Sequence, residues 1–383
     1  MKKSLKNKTV FVGVSGGVDS SVSAALLKNA GYHVVGVFIR TWSPEWIECT
    51  WRSERRDAMR VCAHLDIPFL ECDAEKEYKK EVADYMISEY KAGRTPNPDV
   101  MCNREIKFGV FWKFAKKHGA DFIATGHYAI NNYQLRIKNY ELKKAKDPAK
   151  DQSYFLWKLN SKDLAHVIFP IGHLKKSEVR KLAEKFNLPT AVKKDSQGIC
   201  MLGDLDIKDF LSHYIKNKKG DVFDESGETI GYHNGVAFLT IGERHGFTVT
   251  KKTNADGPYY VVAKDIKKNT ITVSQEKNSP GLGTDNFLLK ISSARASRAA
   301  QGLSRENSFP VSISDTNWIS EIPKSNKKYK CQIRYHGEYL PCQILKIENS
   351  KLKISFQQEV LVAPGQSIVL YDGDVCLGGG IVV

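Results

Sequence analysis

What the chain lacks narrows the field first. Its uncharged stretches, such as Asn29–Ile39 and Tyr232–Gly242, are short and carry glycines, far from the ~20 apolar residues that a membrane-spanning helix needs. The apolar run Val10–Val14 behind Lys2 and Lys3 superficially resembles a secretion signal. Ser15, the Gly16-Gly17 pair and Asp19 interrupt it, and no small-residue cleavage site follows, so secretion is not expected. No Cys-x-x-Cys pair occurs among the 8 cysteines, which argues against zinc ribbons and iron–sulfur clusters, and no metal site is expected from them. Thiols this sparse suit a reducing cytosol. No Gly-Lys dipeptide occurs, which excludes a Walker phosphate loop, and no Gly-x-Gly-x-x-Gly, which excludes the dinucleotide fingerprint.

The chain has 383 residues, 42% of them apolar and 10% aromatic, the composition of a globular protein of two or three domains. Its 58 Lys+Arg against 43 Asp+Glu leave a net charge of +15, a field that attracts polyanions. A lysine-rich proteome would explain that charge equally well.

Strand and helix patterns alternate through the first third. Thr9–Val14, Val34–Ile39, Phe69–Cys72 and Phe122–Ala124 read as buried strands, with helical patterns at Ser20–Asn29, Glu54–Leu65, Glu75–Tyr90 and Ile106–His118. Such alternation predicts an α/β fold, a doubly wound and mostly parallel sheet with helices on both faces. Ile207–Ile215 reads as one more helix, followed by short strands and turns. From about Phe287 the pattern is almost all alternating strand, including Tyr329–Tyr335, Leu340–Ile347, Lys351–Phe356 and Ser367–Tyr371, which predicts a small antiparallel β-barrel. The expected division is a catalytic domain over 1–205, a small mixed central domain over 206–286 and the barrel over 287–383.

The most informative segment runs from Val10 to Ser21. A buried strand enters a glycine turn and then a helix, so backbone amides and the helix's positive end can hold an anion. Ser15 and Ser20 can donate further hydrogen bonds, and Asp19 could hold a magnesium ion between phosphates. Gly13-Val14-Ser15-Gly16-Gly17 also matches the hydrolase nucleophile elbow, Gly-x-Ser-x-Gly. That elbow needs earlier strands to supply its oxyanion loop, and too few residues precede Ser15. Ser-Gly-Gly-Val-Asp-Ser at 15–20 instead resembles the loop of the PP-loop ATP pyrophosphatases, which split ATP to AMP and pyrophosphate to activate a carbonyl or carboxylate oxygen.

Two cysteines sit in polar, turn-rich settings. Cys102 follows the proline-stiffened Thr95-Pro96-Asn97-Pro98-Asp99 and stands just before a helix expected from about Asn103, with Arg104 and Lys107 placed to favour a thiolate. Cys200 ends Asp195-Ser196-Gln197-Gly198-Ile199-Cys200, behind two lysines. A buried structural role is the ordinary alternative for any lone cysteine, and it is the reading for Cys62 and Cys72.

These segments together resemble the bacterial tRNA-specific 2-thiouridylases. The matches are the loop at 15–20, AGRTPNPD-x-x-CN-x-EIKF at 92–108, ATGHY at 124–128, KDQSYFLW at 150–157, DSQGIC at 195–200, IRYH at 333–336, APGQS at 363–367 and VCLGGG at 375–380. They follow in family order over essentially the whole chain. Met201-Leu202 and the loop Trp42–Arg55 are less typical.

The resemblance implies the following roles. Gly13, Val14, Ser15, Gly16, Gly17, Val18, Asp19 and Ser20 bind the phosphates of ATP, with magnesium arriving transiently on the nucleotide. Ile39 and Gly126 frame the adenosine. Asn97, Pro98 and Asp99 hold the target base, and Asp99 joins the catalytic set. His127, Lys150, Asp151 and Gln152 contact tRNA, as do Arg334, Tyr335 and Gln366. Cys200 carries a persulfide, and Cys102 is its partner thiol. The partners implied are the tRNAs for Lys, Glu and Gln and a sulfur donor, either a cysteine desulfurase or a relay protein, with no membrane.

Tyr154, Phe155 and Trp157 could form a base-stacking platform or a core strand. The lysines between Lys138 and Lys150 could face phosphates or only water. Two rival functions are another PP-loop adenylating enzyme, such as a lysidine synthetase, and a non-catalytic RNA-binding module. The first would not require Cys102 and Cys200, and the second would not require Asp19 or the glycine loop.

Overall fold

The computed structural model describes residues 7–47, 51–134, 139–195, 206–251, 257–276, 309–325, 327–348 and 351–383. Strands β1 (Thr9–Gly13), β2 (His33–Arg40), β3 (Phe69–Asp73) and β4 (Phe122–Ala124) pair in parallel. Side chains of β1 alternate between two cores, as the strand period requires. Phe11 joins Val37, Ile39, Met86, Ile106 and Phe111 under the helical runs 75–91 and 98–117. Val10 and Val12 join Ala24, Leu27, Val61 and Cys62 under helices α1 (Val18–Asn29) and α2 (Trp51–His64) on the other face. Burial on both faces explains why these strands read as continuous apolar runs.

The strand order is β3-β2-β1-β4-β7, where β7 is Val167–Ile168. Chain direction across the sheet therefore reverses between β1 and β4, and the loops leaving those two strands part to form a crevice.

A second sheet follows α/β layer and helix Ile207–Ser212 in the chain: β8 (Gly220–Phe223), β9 (Thr229–His233), β10 (Phe247–Val249), β11 (Tyr260–Asp265) and β12 (Thr270–Ser274), in the order β10-β9-β8-β12-β11. It is mixed, because β8 and β12 run parallel while the other pairs are antiparallel.

The C-terminal strands are β13 (Phe309–Trp318), β14 (Lys328–Gln332), β15 (Leu340–Glu348), β16 (Lys351–Phe356), β17 (Ser367–Asp372) and β18 (Val375–Val382). Since β13 pairs with both β16 and β18, the six strands close into an antiparallel barrel. Leu352, Ile354 and Phe356 point inward while Lys351 and Lys353 face water, the alternation that identified β16 in sequence.

One element departs from the division expected at 205. The hairpin of β5 (Ile130–Gln134) and β6 (Asn139–Lys143) joins the barrel's sheet through Val375↔Lys143 and Cys376↔Leu142. The pairing of β13 with β18 extends only as far as Gly378, so the start of β18 offers an open edge, which β6 takes. Nor is the Tyr154–Trp157 segment a core strand. Ser153–Leu156 is a 3-10 turn that wedges Tyr154 and Trp157, both buried, against the barrel. The Tyr154 hydroxyl donates to the Ser367 carbonyl at 2.9 Å, and Trp157 Nε1 donates to Ser367 Oγ at 3.1 Å. Polar tips on two large apolar side chains thus set the angle of the barrel.

Thr95 ties all three bodies together. Its amide donates to the Pro364 carbonyl at 2.8 Å, its carbonyl accepts from Gln366 Nε2 at 3.0 Å, and its hydroxyl donates to Thr240 Oγ1 at 3.2 Å. Gly365, at φ 89°, is the residue that lets the barrel turn come this close, since a Cβ there would stand 3.0 Å from the Thr95 backbone.

Replacing Trp157 by Ala should destabilise the protein by about 3–5 kcal/mol, because a fully buried indole and its hydrogen bond are both lost. Cys62→Ala should cost far less. Thermal melting of the two variants side by side checks the ranking, and equal midpoints would contradict it.

Candidate active site

The loop from Ser15 to Val18 lies at the mouth of the crevice. Gly16 takes φ +72°, and a Cβ there would stand 2.6 Å from the Glu54 carbonyl at the start of α2. No other residue fits both the left-handed backbone and the space. Gly17 precedes α1, and its carbonyl accepts from Ser20 Oγ at 3.2 Å and Ser21 Oγ at 2.7 Å. Ser20 Oγ also accepts from the Ser15 amide at 3.2 Å, and it lies 3.3 Å from Ser15 Oγ. Two serines thus brace the turn so that the amides opening α1 converge, the arrangement that suits an anion.

The loop after β4 closes the crevice's other wall. Gly126 rests directly on the first turn of α1, where a Cβ would meet Ser20 N at 2.7 Å and the Asp19 backbone carbon at 2.8 Å. The Ile39 side chain lies beneath Gly13 on the same side. His127 turns inward: it is buried between Phe108 and Phe169, and its Nδ1 is 2.8 Å from Thr125 Oγ1. Burial, helped by nearby Lys107, holds this imidazole well below its ordinary 6.5, so it is neutral.

Asp19 sits in a charge network that sequence reasoning did not find. Lys176 Nζ donates to its two oxygens at 2.7 and 2.8 Å, and the Tyr128 hydroxyl donates at 2.8 Å. Burial and the Asp19 charge both push the Tyr128 phenol far up, so it stays a donor. Lys176 also reaches Asp195 at 2.9 Å, and Asp195 further accepts from Lys150 at 2.8 Å and Arg180 at 2.5 Å. Burial alone would raise the Asp195 carboxyl, but the hydrogen bonds and charges of Lys150 and Lys176 overcome it and hold the group well below the carboxylate range. With a lysine and a tyrosine on its oxygens, Asp19 is poorly placed as a magnesium ligand. Among the described residues no group of three or more His, Cys, Asp or Glu side chains could hold a metal ion.

The loop expected to hold a base begins a helix. Asn97 caps Pro98–Met101, its Oδ1 accepting from the Val100 amide at 3.3 Å, and Pro98 occupies the first turn. Helix therefore starts before Cys102, not after it as the sequence suggested, and the chain continues through π turns over Cys102–Val110. Cys102 is fully buried there, and Arg104 is paired with Asp163 at 3.1 Å, away from a role as thiolate partner. Cys200 lies outside the described residues. Cys62, Cys72, Cys331 and Cys342 are buried, as core residues should be.

The residues expected at RNA divide. Arg334 is exposed beside half-buried Tyr335, whose ring lies 4.3 Å from that of Phe155. Lys150 is spent on Asp195. Asp151 is buried and accepts from the amides of Ala145 and Ser153 at 3.0 and 3.2 Å, while Gln152 exchanges hydrogen bonds with the Tyr128 backbone. In this arrangement Asp151, Gln152 and His127 hold the loops that carry the site, and Gln366 holds Thr95.

Comparison with known proteins agrees over the full length. Residues 8–204 match the tRNA methyl transferase HUP domain, 208–275 the tRNA methyl transferase PRC-barrel domain, and 310–382 the aminomethyltransferase beta-barrel domain. The tRNA-specific 2-thiouridylase MnmA of Geobacillus thermodenitrificans is 41% identical, covering 100% of this chain and 96% of that protein. The chain belongs to the tRNA-specific 2-thiouridylase family. Its relatives of the same name from Exiguobacterium sibiricum and Nitrosomonas europaea are each 40% identical, over 99% of this chain and 95% and 99% of theirs. In this family member, no helix among the described residues is long and apolar enough to cross a membrane.

Because folded His127 refuses a proton that the unfolded chain accepts, its contribution to stability is complete above 6.5 and is lost as the pH falls below it. The His127 ring resonances should therefore not titrate between about pH 8 and pH 6. A midpoint near 6.5 in a nuclear magnetic resonance titration would show that the ring is solvated.

Proposed function

We propose that this enzyme replaces the C2 oxygen of the wobble uridine of tRNA with sulfur, consuming ATP and releasing AMP and pyrophosphate. The observation that carries the reading is the serine-braced glycine loop at the β1/β4 crevice, in a chain that aligns end to end with named 2-thiouridylases. A carbonyl oxygen is a poor leaving group. Its attack on the α-phosphorus of ATP expels pyrophosphate and turns that oxygen into part of AMP. The loop amides of Ser15 to Ser20 hold the phosphates in line, with magnesium carried on the nucleotide, while Ile39 and Gly126 bound the adenosine. Asn97, Pro98 and Asp99 present the base.

Sulfur arrives as a persulfide on Cys200. Its terminal sulfur attacks C2, AMP leaves, and the base is then joined to Cys200 through an S–S bond. A Cys102 thiolate attacks the Cys200 sulfur, which releases 2-thiouridine and leaves a Cys102–Cys200 disulfide for an external thiol to reduce. Cys102 has no exposed surface in this arrangement, so its step requires the run 98–110 to shift. π turns are frequent at functional sites. The wobble base leaves its stack to enter, as single-stranded anticodon loops permit. Arg334 and Tyr335 on the barrel meet the RNA backbone and a base, the substrates being the tRNAs for Lys, Glu and Gln. A desulfurase or a relay protein loads Cys200 in the cytoplasm.

Digestion of tRNA after incubation with enzyme, ATP, magnesium and a sulfur source, followed by mass analysis, should reveal 2-thiouridine. ADP as the nucleotide product would refute the activation step. Cys200→Ser should accept no labelled sulfur. Cys102→Ser should accept it and still form AMP, yet release little thiolated tRNA. Full turnover by a protein lacking both thiols would end the proposal. Binding to tRNA should weaken steeply with salt, as the net charge of +15 requires, and Arg334→Ala should weaken it with ATP affinity unchanged.

A further inference from the structure

Lys176 has no role in the reaction as set out above. It opens the helix Lys176–Lys185, directly after Lys175 at the cap, where Glu178 and Asp147 accept from the amides of Lys175 and Lys176. Its side chain is only 15% exposed. Around it, Lys150, Lys176 and Arg180 all converge on the single carboxylate of Asp195, Lys176 also holds Asp19, and a third carboxylate, Asp147, accepts from the Lys176 amide at 2.8 Å. The cluster adjoins the first turn of α1, since Asp19 is the second residue of that helix. With two other cations on it, Asp195 stays paired when Lys176 turns away to a polyanion.

We propose that Lys176 is a phosphate-binding residue, turning its ammonium from Asp195 to the outer phosphates of ATP and then to pyrophosphate, while Asp19 and Asp195 together hold it between turnovers. The inference rests on the ATP-splitting reading and names the cation that this loop, lacking a Walker lysine, otherwise misses.

The test uses the full-length protein with inorganic pyrophosphate and AMP as separate calorimetric probes. Lys176→Met should weaken pyrophosphate binding by at least about tenfold, the worth of a charge-assisted hydrogen bond, and leave AMP binding within about twofold. Lys176→Arg should restore most of the loss. Asp195→Asn should tighten pyrophosphate binding by releasing the lysine. Melting curves establish that each variant is folded, and Lys176→Gln, which keeps a donor to Asp19, replaces any Met variant that is not. Unchanged pyrophosphate affinity in the Lys176 variant, or equal loss for AMP and pyrophosphate, would overturn the role. Wild-type enzyme with tRNA serves as the control for the reaction itself: AMP and pyrophosphate formed there, with Lys176 inert, would sink this inference alone.

Discussion

The approach of the loop after β4 to the first turn of α1 is the constraint on which the site depends. At Gly126 the two backbones come so near that a methyl group would stand 2.7 Å from the Ser20 amide nitrogen. That contact fixes the spacing between the two walls of the crevice, and from it the neighbouring positions follow. Tyr128, two residues on, reaches Asp19, and Asp19 draws in Lys176 from a helix far along the chain. Gln152 then locks the Tyr128 backbone from outside. A crevice built this way is rigid where phosphates would sit, as catalysis by positioning demands.

The barrel and the central sheet act on the same loops. Thr95 donates to the barrel's Pro364 carbonyl and to Thr240 Oγ1 and accepts from Gln366, so the segment leading to Asn97 and Cys102 is held by both. Trp157 and Tyr154 anchor the residue next to that turn, Ser367. Domains that would grip RNA are thereby wired to the helix that would receive the base. The tRNA docking proposed at Arg334 and Tyr335 would have a short physical path to that helix.

Much of the fold was legible because its causes are local. Strands β1 to β4 announced themselves as runs of Val, Ile and Phe, buried on both faces, and the barrel strands as period-2 alternation. Misreadings arose where two local signals competed. Asn97 and Pro98 are strong helix-start residues, yet two nearby prolines suggested a loop, and the helix was placed too late. Tyr154, Phe155 and Trp157 have strand composition, but the ring tips are pinned to Ser367 in a tight 3-10 turn.

The sequence by itself determined the chemistry available: a glycine loop without a Walker lysine, two cysteines in polar segments, and an excess of positive charge. Those depend on residue type and spacing over a few positions, which a chain displays whether folded or not. Only the tertiary structure decided which charges meet. Lys176 is one of many lysines, and nothing in its neighbours marks it. Its pairing with Asp19, 157 positions away, and with Asp195 exists because the helix after β7 packs against α1 at the crevice. The burial of His127 and Asp151 was likewise invisible, since a polar residue in a polar motif reads as exposed until packing encloses it.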